Sequence, residues 1–169
     1  MQAIRATLAR GWFQVLIGGI VLFYMLNDVY QATGNPNFVP SLLVLGAFLV
    51  PVVLVLWAYE HPLPERIPPS AVVWNFLWGG ALGVIIAGTL EYDTYRTLGF
   101  LPLLAVGLIE ETAKLIVPLV FFLRWRYRSE MAGLLFGLAS GMGFAALETL
   151  GYGFTALLAS RGNIGLAEF

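Results

Sequence analysis

The chain has 169 residues, 59% hydrophobic and 11% charged, with a mean hydropathy of +0.83 and a formal net charge of −1. A soluble domain carries about 25% charged residues, so this composition excludes an ordinary soluble globule, and no basic patch points to a nucleic-acid partner. The absence of cysteine excludes a disulfide framework, a thiolate metal site and a cysteine nucleophile.

The apolar residues come in five long blocks. Each can cross about 30 Å of hydrocarbon at about 1.5 Å per helical residue, and none shows the in/out alternation of barrel strands. The expected fold class is an all-α integral membrane protein. It would be a bundle of about five transmembrane helices, forming a single domain over residues 1–169.

Residues 1–10 carry Arg5 and Arg10, and the first span is expected over 11–30. A basic start before an apolar run resembles a leader. The run is long for that role and lacks a small-x-small cleavage site, so it reads as a retained span. Residues 31–37 are turn-rich. The second span is expected over 39–59, kinked at Pro51. A proline-rich loop, 60–69, holds His61, the single histidine; a lone imidazole in such a loop reads as solvated rather than as a ligand.

The third span is expected over 71–90. Trp74 and Trp78 read as interface anchors, Gly79, Gly80 and Gly83 as a close helix contact, and Asn75 as helix–helix glue or cavity lining. Glu91, Asp93 and Arg96 are expected in the following loop. The fourth span, 100–123, contains Glu110, Glu111 and Lys114, and a basic hairpin, Arg124 to Arg128, leads into the fifth, 131–158. With the N-terminus cytoplasmic, Arg5, Arg10, Arg66, Arg124, Arg126 and Arg128 lie inside, against Arg96 and Arg161 outside, which sets the expected orientation.

Each charge at the centre of a membrane helix costs roughly 2.5–3.5 kcal/mol on insertion scales, so the Glu110-Glu111-x-x-Lys114 cluster needs a compensating role. At 100° per residue Gly107, Glu111, Lys114 and Pro118 share a sector, with Glu110 at its edge. Both carboxylates reach toward Lys114, at i+4 and i+3. On the fifth span Gly133, Gly137, Gly141, Phe144, Glu148, Tyr152 and Thr155 share a face, which begins as a Gly-xxx-Gly-xxx-Gly contact stripe and turns Glu148 into the bundle. Counted from the ends of the spans that the basic hairpin joins, the Glu110-Glu111 pair and Glu148 lie at similar depths, about 13 and about 17 residues away. Three carboxylates against one lysine leave an excess negative charge that a low-dielectric bundle must offset. Protonation, a bound cation or water would do so, and each suits chemistry: a general base for water or a divalent-cation site.

Glu110-Glu111-Thr-Ala-Lys114, followed across a short loop by Gly141-Met-Gly-Phe144-Ala-Ala-Leu-Glu148-Thr-Leu-Gly-Tyr152, resembles the PrsW family of intramembrane proteases. Trp57-Ala-Tyr-Glu60 and the loop after it are similar to that family's aromatic-acidic loop, and the likeness covers roughly residues 55 to 158. It implies a multi-pass peptidase in a bacterial or archaeal inner membrane, related to the CAAX- and bacteriocin-processing proteases. Its substrate would be a membrane-anchored protein such as an anti-sigma factor. Glu110 and Glu111 would hold and activate water, Lys114 would balance charge, and Glu148 would orient the water or complete a site for a divalent metal such as zinc.

Thr149 stands where the family carries asparagine, and no histidine follows His61, although the family has a third, histidine-bearing motif. The expectation is a protein that continues beyond Phe169, a different third ligand, or an inactive relative. Two other classes share the cluster's physics: a proton- or cation-coupled carrier or channel subunit, and a silent membrane scaffold. A carrier needs a polar path across the membrane, for which Gln14 and Asn75 are the main candidates outside the cluster.

Overall fold

The computed structural model describes residues 10–61, 66–124 and 127–160. These form five long helices and, among the described residues, no strand. They are α1 (Gly11–Thr33), α2 (Val39–Tyr59, entered through the 3₁₀ turn Pro36–Phe38), α3 (Pro69–Leu98), α4 (Leu103–Leu123) and α5 (Glu130–Ala159). By length and composition α1, Pro36–Tyr59, α3 and α5 can each cross a membrane. The all-α membrane fold is as composition demanded. α4 is 21 residues long but holds the three ionisable residues of the motif.

Two helices run past their expected ends and stop at a glycine. α1 runs to Thr33 and stops at Gly34, with φ 61°. α3 runs through Glu91, Asp93 and Arg96 to Leu98 and stops at Gly99, with φ 75°. Both glycines adopt the left-handed conformation that closes a helix at no Cβ cost. The loop expected at residues 91–96 is therefore helical; charged residues are ordinary helix formers and carry no stop signal. At its other end α3 starts with Pro69 in the first turn, where a missing N–H costs nothing. α2 continues unbroken through Pro51.

The chain divides into two compact units. The first comprises residues up to His61 and from Glu148 onward. In it α1 and α2 form an antiparallel hairpin. The Glu60 carboxylate accepts the Trp12 N–H at 3.0 Å, so the end of α2 satisfies a free amide of the first turn of α1. Gly19 lies against Leu49, and Gly46 against Phe23. Val39 and Leu42 are buried among Phe23, Leu26, Tyr30, Leu43 and Leu157. No residue of α1 is buried.

The second unit, residues 62–147, contains α3, α4 and the first half of α5. Ala87 of α3, Ala113 of α4 and Phe144 of α5 form its buried centre, with Val84, Ile86 and Ile109 around them. Phe136 is buried under the rings of Phe121 and Tyr127, at centroid distances of 5.3 and 5.5 Å. α3 is not uniform: Asn75–Gly79 form a π turn inside it. Asn75, Gly79, Gly80, Gly83 and Ala87 are all buried. In a straight α-helix a four-residue step overshoots a full turn by about 40°, and the wider π turn underwinds that step between Asn75 and Gly79.

The glycine contact expected on α3 is present. A Cβ on Gly80 would run into the backbone of Gly143, one on Gly79 into Ser140, and one on Gly83 would sit 2.9 Å from the Phe144 ring. Residue numbers rise together on both sides, so α3 and α5 cross in parallel. The stripe expected to make contact on α5 does not do so: among the described residues, Gly133, Gly137 and Gly141 have no atom within 4 Å of an added Cβ. The buried face of α5 lies one residue away, through Ala132, Leu135, Phe136, Ala139, Ser140 and Gly143. It is also built of small side chains, and it adds the bulk of Leu135 and Phe136 that fills a core.

Candidate active site

α4 carries Glu110, Glu111 and Lys114 within about one turn, and the structure joins all three. Lys114 Nζ donates to Glu111 Oε1 at 2.7 Å and to Glu110 Oε2 at 3.3 Å. The carboxylates differ in setting. The Glu110 side chain is 21% exposed and Glu111 73%, with Lys114 at 19%. The helical sector had placed Glu111 with Lys114 and Glu110 at the margin. In the folded unit Glu110 is the sheltered partner, and Glu111 is the one reachable from outside. Ala113, almost fully buried, fixes the direction that α4 turns toward its neighbours.

The ammonium is held from a third side. The Phe144 ring of α5 has its centroid 4.5 Å from Lys114 Nζ, a cation–π contact in a partly desolvated place. Two carboxyl groups thus share one ammonium. At its other end the Lys114 residue is anchored through its backbone: its carbonyl accepts the Ser140 hydroxyl at 2.5 Å. Ser140 is fully buried and faces Gly79, whose missing side chain makes the room.

Glu148 belongs to the other unit. It is half-buried, and its Oε1 accepts the Tyr152 hydroxyl at 2.9 Å, one turn along α5. That bond gives Tyr152 a definite partner beyond packing. Asn75 is fully buried and its side-chain N–H donates to the Ala71 carbonyl at 2.9 Å, so it braces its own helix at the π turn rather than gluing two helices. His61 Nδ1 lies 2.7 Å from the Trp57 carbonyl, within its own turn, with its ring against that of Trp57.

Residues 67–168 match the PrsW-protease family, described as the PrsW family intramembrane metalloprotease. The chain belongs to this family. No curated protein and no solved structure matches it. Membership in the PrsW family makes the chain a multi-pass membrane protease, in agreement with its apolar helices and with the resemblance carried by the Glu-Glu-x-x-Lys motif.

The family description is compatible with a divalent metal. Among the described residues, however, no three His, Cys, Asp or Glu side chains converge, and Glu110 and Glu111 each spend an oxygen on Lys114. A hydrolytic zinc site takes three protein ligands and keeps a position for water. The described residues do not fit that requirement, so the chemistry below is derived from the side chains alone.

Ser140 escaped the sequence reading, although a signal for it existed. Pro118 has no N–H, so the Lys114 carbonyl four residues earlier lacks its helical donor. Asking which neighbour supplies that donor leads to a buried hydroxyl on an adjacent span.

Proposed function

We propose that this PrsW-family chain is an endopeptidase that hydrolyses a peptide bond of a membrane-anchored protein, such as a single-span regulator of the anti-sigma-factor type, with Glu110, Glu111, Lys114 and Glu148 as its catalytic residues. The reading takes α4 as a fifth transmembrane span, the N-terminus as cytoplasmic and the cell membrane of a bacterium or archaeon as the location. The observation that carries it is the Glu110–Lys114–Glu111 ion-pair cluster on a helix of membrane-spanning length.

In this reading Glu111 is the general base. It is the more exposed carboxylate, and one of its oxygens is held by Lys114 while the other is left to meet water. Glu111 takes a proton from water as the oxygen attacks the scissile carbonyl, and the proton then passes to the departing amine. Lys114 bridges the two carboxyl groups. Glu110, more sheltered, holds the ammonium in place. Glu148, supported by the Tyr152 hydroxyl, is a second carboxyl able to take or return a proton.

The test is cleavage of a candidate single-span substrate by purified protein in liposomes. Glu111→Gln keeps the shape and removes the base, and it should lower the rate by about 10²–10⁴-fold. Unchanged cleavage by Glu111→Gln would remove Glu111 from the mechanism. Parallel runs with a chelator, then with zinc restored, report whether a metal takes part.

A further inference from the structure

We infer that Ser140 is a positioning residue for the α4 ion-pair cluster, acting by supplying the hydrogen bond that Pro118 cannot give to the Lys114 carbonyl. In a regular helix the carbonyl of residue 114 accepts from the N–H of residue 118. Residue 118 is proline and has no N–H. A carbonyl left without a donor in a membrane is strongly unfavourable, and it tilts or draws in water unless another group meets it. Ser140 Oγ meets it at 2.5 Å, from a different helix.

Three further contacts make this bond a device for placing Lys114. Ser140 is fully buried, and the Gly79 backbone closes over it, so the hydroxyl has little freedom to turn elsewhere. Phe144 stands one turn along α5 on the same face, with its ring over the Lys114 ammonium at 4.5 Å. One face of α5 therefore holds Lys114 at both ends, main chain through Ser140 and side chain through Phe144. The ammonium in turn holds both Glu110 and Glu111. A shift of the Lys114 carbonyl is passed to the direction in which both carboxylates point.

The inference deepens the reading of this cluster as the peptidase site, but its test need not depend on that reading. Lys114 is the sole lysine of the chain. Protein grown with ¹³Cε-lysine gives one side-chain NMR signal, displaced by the ring current of Phe144. The experiment is a cycle of Ser140→Ala and Pro118→Ala in the full chain. Ser140→Ala alone should shift or broaden the lysine signal and lower kcat about tenfold, with KM within about twofold of wild type. Pro118→Ala restores a backbone N–H to the Lys114 carbonyl. In that background Ser140→Ala should leave the signal in place and change kcat by less than twofold.

A lysine signal unmoved by Ser140→Ala overturns the inference, as does a loss that Pro118→Ala fails to rescue. If Ser140→Ala alone does not fold, the comparison of Pro118→Ala with the double variant still decides, because the inference requires both to fold and to match. If no variant, wild type included, cleaves a substrate, the peptidase reading fails while the lysine signal still reports on Ser140.

Discussion

Two glycine stripes run through the second unit and they behave in opposite ways. Gly79, Gly80 and Gly83 of α3 meet Ser140, Gly143 and Phe144 of α5 so closely that a methyl group would collide at each position. Gly133, Gly137 and Gly141, spaced as a membrane contact motif, meet no neighbour among the described residues. Spacing makes both stripes capable of close approach. Only the first has a partner backbone opposite, and it lies beside the Lys114 cluster. A small-residue repeat thus states which residues share a face, and the residues flanking it decide whether that face packs.

The sharpest break of this contrast is Gly143→Leu. An added side chain there runs into the Phe76 carbonyl, so the variant should lose about 3 kcal/mol or more through overpacking against backbone. Thermal unfolding followed in detergent would show it. Gly83→Ala is a milder probe. Its methyl presses on the Phe144 ring, and about 1 kcal/mol should be lost, net of the gain from replacing a helical glycine. The lysine NMR signal should move with the ring. Gly137→Ala is the smallest change and has the opposite sign: with nothing in its way it should stabilise by about 0.5–1 kcal/mol through helix propensity. A loss at Gly137 equal to that at Gly143 would erase the distinction between the two stripes.

The same contrast marks what could be read before folding. The all-α membrane fold was legible because long apolar runs have few alternatives in a membrane, but the end of α3 was not, since it is set by Gly99 and not by the charged residues before it. The Glu110–Lys114 and Glu111–Lys114 pairs were legible because i+3 and i+4 neighbours on a helix must meet. The choice of packed face on α5 was not. Stripes one residue apart both look small, and Leu135 and Phe136 settle the matter only once their neighbours are known. Nor was the relative shelter of Glu110 and Glu111, since it depends on where Ala113 docks and not on the helix that carries them. Ser140 was half-legible, because Pro118 announces a carbonyl in need of a donor without saying which span provides it.

The π turn at Asn75–Gly79 bears on how this membrane region tolerates changes in length. A turn of this kind works as one surplus residue stored in the helix. Removing that residue lets the segment relax to a regular helix whose later residues keep their direction, whereas the same deletion in the regular part of α3 would rotate everything after it by about 100° relative to everything before it. A deletion between Gly83 and Ala87 would swing Ala87 away from Ala113 and Phe144 while Gly80 and Gly83 stayed in place. For α3, then, phase is a stricter requirement than reach: a single-residue deletion within 75–79 is expected to be less damaging than one at residues 84–86, just before the last buried position, Ala87.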